Sequence, residues 1–320
     1  MAPYDVVQPN RDSGSGLTAV AVAASHPTHQ QTLRGTIECS GIGVHSGARV
    51  RMRLLPAEPD TGIVFIRTDL VNGARKIPAR WDYVVNTKLC TVIGNDHGAQ
   101  VGTIEHLMAA LRACNVDNAI IEIDGAEVPV MDGSSDPFLF MIEMAGIAAQ
   151  NAPRREIRIL APLEAVREGR RVSLTPGEEP RFSFEIDFEQ QPIAAQSYDF
   201  TLSPGNFKSE IGRARTFGFY EDVEQLREMG LARGGSLDNA VVIKDDRVIN
   251  DGGLRYGDEF VRHKLLDAIG DMGLAGAPII GHFHGYCSGH ELNNRLLRAL
   301  FADPSAWRMA EASTPAEMAA

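Results

Sequence analysis

The chain has 320 residues, 44% of them hydrophobic and 23% charged, with a formal net charge of -11 and a pI near 5.3. That length accommodates two domains with sizeable cores, and the composition is that of an ordinary globular protein. The acidic balance excludes a general nucleic-acid binder, and no apolar run approaches the roughly 20 residues that span a bilayer. Neither nucleic acid nor stable membrane insertion is expected.

Residues 1–30 show no helical or strand period and read as a disordered extension. LTAVAVAAS (17–25) faintly resembles a secretory signal core, but Asp5 and Asp12 against a single Arg11 leave no positive n-region, so a cytoplasmic protein is expected. Cys39, Cys90, Cys114 and Cys287 contain no CxxC pair and read as reduced thiols, with Cys90 and Cys287 kept as candidates to line a site.

A first domain is expected over 31–152. TLRGTIECSGIGVHSG reads as a strand broken by glycines, and the alternation in ARVRMRLLP predicts a half-buried strand. GIVFIRTD and LCTVIG are further strands. VGTIEHLMAALRACNV predicts a helix capped by Thr103, NAIIEID (118–124) a strand, and SSDPFLFMIEMAG (134–146) a helix with Pro137 in its first turn. The polar break NAPRR (151–155) marks the domain boundary.

The second domain, 153–303, begins with strands near 156–161, 170–175, 181–188 and 196–202. Helices are predicted at 206–214 and 221–230, then at VRHKLLDAIGD (261–271). A strand at 278–286 and a helix from Glu291 to Phe301 follow, and 304–320 reads as a loose tail. Segments 105–123 and 262–280 both run helix, short turn, apolar strand, with a histidine second. This echo predicts an α+β protein of two domains of similar plan, each a β-sheet packed with helices. A ligand site between them would bring the two histidines together.

Three segments carry polar residues that a core does not need. TIEHL supplies Glu105 and His106, HKLLD supplies His263 and Asp267 one helical turn apart, and SGHELNN supplies His290. Two histidines and a carboxylate with an open fourth position are the pattern of a catalytic zinc site, and Glu105 and His290 suit general base and acid. No HExxH helix is present. His282 and His284 share one strand face and read as structural, and the GxG at 41–43 is too short for a dinucleotide fingerprint.

TIEHLMAAL, MDGSSDPF, GRARTFGF, EFVRHKLLDAIGD and SGHELNN, in this order across residues 31–303, resemble the bacterial UDP-3-O-acyl-N-acetylglucosamine deacetylase family. The resemblance implies a zinc amidase of lipid A biosynthesis, with a small insert in each domain and the active site at the domain interface. It implies one zinc ion held by His106, His263 and Asp267, and Glu105 as general base. His290 would be the cationic acid oriented by Asp271, and Thr216 would stabilise the oxyanion. Lys264, Phe217, Phe188 and Cys90 would meet the substrate. An insert at about 219–247 would form the acyl passage. Relatives often have Lys where this chain has Cys287, which removes a diphosphate contact. The partners implied are the acylated UDP-amino sugar and water, with a monomeric enzyme; the nearest rival is a zinc amidase for another nucleotide-linked amino sugar.

Overall fold

The computed structural model describes residues 6–7, 27–71, 75–188 and 193–312. Most of the expected N-terminal extension and residues 313–320 of the expected tail lie outside the described residues.

The first half contains β1 (Val6–Val7), β2 (His29–Leu33), β3 (Ile37–Ile42), β4 (Arg49–Pro56), β5 (Ile63–Arg67) and β6 (Lys76–Pro78). Next come β7 (Val84–Asn86), β8 (Val92–Gly94), β9 (Gln100–Val101), α1 (Glu105–Ala113), β10 (Ala119–Ile123), α2 (Asp136–Ala145) and β11 (Ile147–Pro153). A six-stranded sheet runs β1-β3-β4-β10-β5-β6. In β4 every second residue is buried from Val50 to Leu54, as its alternation dictates. β10 pairs antiparallel with β4 and parallel with β5. β7, β8 and β9 form a separate small sheet.

The second half contains β12 (Arg155–Ile159), β13 (Leu163–Arg167), β14 (Arg170–Thr175), β15 (Pro180–Asp187), β16 (Ala195–Thr201) and the single turn α3 (Pro204–Asn206). It continues through β17 (Phe217–Phe219), α4 (Tyr220–Glu228), β18 (Val241–Lys244), β19 (Arg247–Val248), α5 (Glu259–Met272), β20 (Ile279–Tyr286), α6 (His290–Ala302) and β21 (Trp307–Glu311). β20 is the centre of a seven-stranded sheet, antiparallel to β14 and parallel to β12 and β15. β17, β18 and β19 make a small sheet beside α4 that brackets the region expected to be an insert, with β17 beginning just before it and β19 ending just after it.

The internal echo has a topological counterpart. α1 leads into β10 and α5 into β20, and each strand takes parallel and antiparallel neighbours within its sheet. The change of sheet falls at Arg154, between β11 and β12. That residue is not part of a solvated linker: its side chain is buried and its Nε donates to Asp117 Oδ1 at 2.9 Å.

Five expectations need correction. The glycine-broken strand is two strands, β2 and β3, and β1 and β2 place order inside the supposed extension. Thr103 does not cap α1; it has φ +55 and donates its hydroxyl to Glu127 at 3.1 Å. The helix expected at 206–214 is α3 followed by a wider π turn over Phe207–Ile211. The tail is not loose from 304, because β21 pairs antiparallel with β12.

α1 and α5 cross in the core, and the contact is unusually close because α5 presents Gly270. A Cβ there would lie 2.1 Å from the Glu105 carbonyl oxygen. This glycine brings the start of α1, with Glu105 and His106, onto the polar face of α5. α1 buries Leu107, Met108 and Leu111, while α5 buries Leu265, Leu266, Ala268 and Ile269. Apolar side chains thus surround the crossing, and the helical stripes read from the sequence become its walls.

Candidate active site and metal centre

On α5, His263, Asp267 and Asp271 recur every fourth residue and so share one face. All three are buried, as are Glu105 and His106 at the start of α1. Burying five ionisable groups is costly unless each has a partner, so their partners describe the site.

His106, His263 and Asp267 offer ligand atoms that all lie within 4.8 Å of one another. Asp267 Oδ1 is 3.4 Å from His263 Nε2 and 3.6 Å from His106 Nε2, longer than a good hydrogen bond. That oxygen is buried with no hydrogen-bond partner among the described residues. An orphaned carboxylate oxygen facing two imidazole nitrogens fits a metal ion. His263 Nδ1 donates to the Ala214 carbonyl at 3.0 Å, which leaves the Nε2 lone pair directed at the site. Burial also lowers the His263 pKa to about 4, keeping the ring neutral as ligation requires.

The other two groups are tied to each other by charge. Burial opposes ionisation of Asp267, but His263, Lys264 and His106 outweigh it and hold the carboxyl well below its ordinary range. Lys264 Nζ donates to Asp267 Oδ2 at 3.2 Å. Burial likewise disfavours the His106 imidazolium, yet Asp267 raises its pKa overall. A cation held by the three ligands would take the place of that proton.

An acid–base pair stands beside this set. Glu105 Oε1 is 3.8 Å from His290 Nε2, and His290 Nδ1 bonds Asp271 Oδ2 at 2.9 Å. Burial raises the Glu105 pKa; burial works against the His290 imidazolium, but Asp271 and Glu105 prevail and push its pKa up to about 9. His290 is the first residue of α6 rather than a residue before it.

Two residues missed in the sequence reading complete the network. Thr91 donates its backbone N–H to Glu105 Oε2 at 3.1 Å and its hydroxyl to Asp271 Oδ1 at 2.6 Å. Asn293 Nδ2 donates to Asp271 Oδ2 at 2.8 Å. Asn293 has a sequence signal, since it lies one turn after His290 on the predicted helix. Thr91 has none, because a buried threonine in a strand pattern is unremarkable.

The site opens into a cleft of about 940 Å³ lined by Glu105, His106, His263, Lys264, Asp267 and His290. Thr216, Phe217, Phe188 and Cys287 line the same cleft. Thr216 immediately precedes β17, and its position is set from both sides. Arg215 forms a buried bidentate pair with Glu259 at 2.9 and 3.1 Å, and Thr216 N donates to the Gly133 carbonyl at 2.9 Å. Phe217 packs edge-on against Phe260 at 5.0 Å and Phe188 at 6.3 Å. Cys90 stands apart: it is buried and lines a neighbouring cavity of about 340 Å³ with Thr103 and Glu127. Burial pushes its thiol up to about 12, which makes it unreactive.

A three-residue set able to hold a metal ion, flanked by a carboxylate and an imidazole for proton transfer, defines a hydrolytic site of the metal-assisted class. The comparison with known proteins is more specific. The LpxC family, UDP-3-O-acyl N-acetylglycosamine deacetylase, matches residues 30–302, and the chain belongs to this family. It is 51% identical over 280 residues to the UDP-3-O-acyl-N-acetylglucosamine deacetylase of Phenylobacterium zucineum (strain HLK1), covering 88% of this chain and 96% of the relative. The enzyme of the same name from Myxococcus xanthus (strain DK1622) is 50% identical over 284 residues, covering 89% and 90%.

Proposed function

We propose that this chain hydrolyses the N-acetyl group of UDP-3-O-acyl-N-acetylglucosamine, giving UDP-3-O-acyl-glucosamine and acetate, a step of lipid A biosynthesis. The observation that carries the reading is the pairing of Glu105 with His290, 3.8 Å apart beside the His106–His263–Asp267 set. The family membership supplies the substrate class.

His106, His263 and Asp267 would hold one zinc ion, which when bound supplies the Lewis acidity that activates water and polarises the amide carbonyl. Glu105 takes the proton of the attacking water. Its raised pKa brings it nearer to neutrality, where a general base is most effective. His290 is cationic at neutral pH and gives its proton to the departing nitrogen, with Asp271 fixing its ring. The Thr216 hydroxyl donates to the oxygen that becomes negative in the transition state. A displaced amine and a carboxylic acid leave, so water supplies the atoms of both new bonds.

Phe217 and Phe188 supply an aromatic wall, with Phe188 suited to stack on the uracil. Lys264, together with Lys88 and Arg170 at the cleft, supplies cationic partners for the diphosphate, where Cys287 supplies none. The region 219–247 would guide the acyl chain. Among the described residues no helix is long and apolar enough to cross a membrane; that the enzyme works as a monomer in the cytoplasm is part of the proposal.

The test is acetate release from UDP-3-O-acyl-N-acetylglucosamine by metal-stripped protein, with and without one equivalent of zinc. Turnover restored by zinc and inhibited by free UDP supports the reading. Tight zinc binding without acetate release overturns it.

A further inference from the structure

A second cavity lies away from the cleft and shares none of its lining residues. It has a volume of about 60 Å³ and lies where α1 ends against the second half of the chain. A water needs roughly 10–15 Å³ of such space, so the cavity holds several waters or one small oxyanion. Its polar lining is Arg112, Asn115, Arg154, Glu156 and Ser203.

The donors there outnumber the acceptors. Arg154 is only 3% exposed; Nε meets Asp117 Oδ1 at 2.9 Å and Nη1 meets Asn115 Oδ1 at 3.0 Å. Its Nη2 is buried with no hydrogen-bond partner among the described residues. Arg112, in the last turn of α1, makes no hydrogen bond or ion pair among the described residues. Ser203 Oγ accepts from Asn206 N at 3.3 Å, and its proton has no acceptor among the described residues. The one lining carboxylate, Glu156, has its Oε1 2.7 Å from Arg158 Nη2, an ion pair that lacks hydrogen-bond geometry. Among the described residues Arg112 is therefore the lining charge with no hydrogen bond or ion pair of its own, while Asp117 and Glu156 act on it from a greater distance. Burial and then the neighbouring Arg154 push its pKa down to about 9, and Asp117 and Glu156 offset only part of that.

We propose that this cavity binds a small oxyanion, a phosphate or a carboxylate, clasped by Arg112, Arg154 Nη2 and the Ser203 hydroxyl. Two guanidinium groups and a hydroxyl are the donor set such an anion takes, and Arg presents its N–H groups in the fork that matches paired oxygens. The anion joins the end of α1 to the loop before α3. It lies on the same helix as Glu105 and His106, two turns away, and so braces the element that carries half of the site described above.

The test titrates inorganic phosphate, and separately acetate, into the metal-loaded protein at constant ionic strength, with chloride as the reference. The readouts are calorimetry and the thermal midpoint. Because the cleft is also cationic, Arg112→Met isolates the second site. The expected result is a phosphate- or acetate-specific rise of about 2–4 °C in the midpoint, lost in Arg112→Met while turnover is kept. Glu156→Gln removes the opposing carboxylate and should tighten the anion by about fivefold. The proposal is overturned by an equal rise in Arg112→Met, by chloride matching both oxyanions, or by waters alone, seen as no oxyanion binding. Should Arg112→Met fold poorly, an unchanged affinity in Glu156→Gln overturns it independently.

Discussion

Gly270 of α5 lies directly against the backbone of Glu105: an added Cβ would sit 2.1 Å from the Glu105 carbonyl oxygen and 2.8 Å from its carbon. Neither atom can swing aside as a side chain can. Alanine is the better helix former by about 1 kcal/mol, but overpacking a core typically costs about 1–3 kcal/mol. Gly270→Ala is therefore expected to lower stability despite the better propensity. It should also depress turnover, because α1 must move away from His263 and Asp267. Denaturant unfolding and acetate release check both; a variant more stable than wild type and fully active would contradict the close crossing.

Metal retention and proton transfer should separate. Asp267→Asn removes the only anionic member of the ligand set and should drop the bound metal well below one equivalent. Glu105→Gln should keep the metal and lose about 100- to 10,000-fold in turnover. Metal analysis alongside single-turnover kinetics distinguishes the two, and full turnover in the glutamine variant would remove Glu105 from the role of base.

Thr91 acts through others. Thr91→Val keeps the backbone bond to Glu105 and deletes the hydroxyl bond to Asp271. Leaving a buried carboxylate short of a donor costs about 1–3 kcal/mol, so a lower unfolding midpoint is expected. Turnover should fall about tenfold with metal content unchanged. Thr91→Ser, which restores a hydroxyl, should recover most of the loss; no recovery would point to packing instead.

The pH profile of kcat/KM should be bell-shaped. Glu105 works ionised, and its raised pKa places the acid limb above the ordinary glutamate value of 4.5. His290 works protonated, and its pKa near 9 places the alkaline limb there. Asp271→Asn removes the strongest influence that raises His290, so the alkaline limb should move to lower pH. An unmoved limb would assign it to another group.

Stability should respond to acid through the Arg215–Glu259 pair. Burial works against the Glu259 carboxylate, but its bonds to Arg215 and the Arg255 N–H prevail and lower its pKa from an ordinary 4.5. A group depressed in the folded state contributes its stability above the unfolded pKa and loses it as pH falls through the folded one. The unfolding midpoint should thus fall as pH drops below about 4.5, and less steeply in Glu259→Gln. Parallel curves for the two proteins would show that the pair contributes no pH dependence.

Much of the molecule is legible in the sequence where the period of burial is local. The alternation of β4, the stripes of α1 and α5, and Pro137 in the first turn of α2 are all set by side chains a few residues apart. The recurrence of His263, Asp267 and Asp271 on one helix face is likewise a matter of helical geometry alone. What only the tertiary structure decides is which face meets which. Gly270 against Glu105, Thr91 bridging Glu105 and Asp271, and Thr103 turning to Glu127 join residues distant in the chain. Arg154 Nη2, without a hydrogen-bond partner among the described residues, is of the same kind. A string of residues specifies which groups can bond; only the packed chain, by excluding water from some of them, decides which groups must find a partner and which are left facing a ligand.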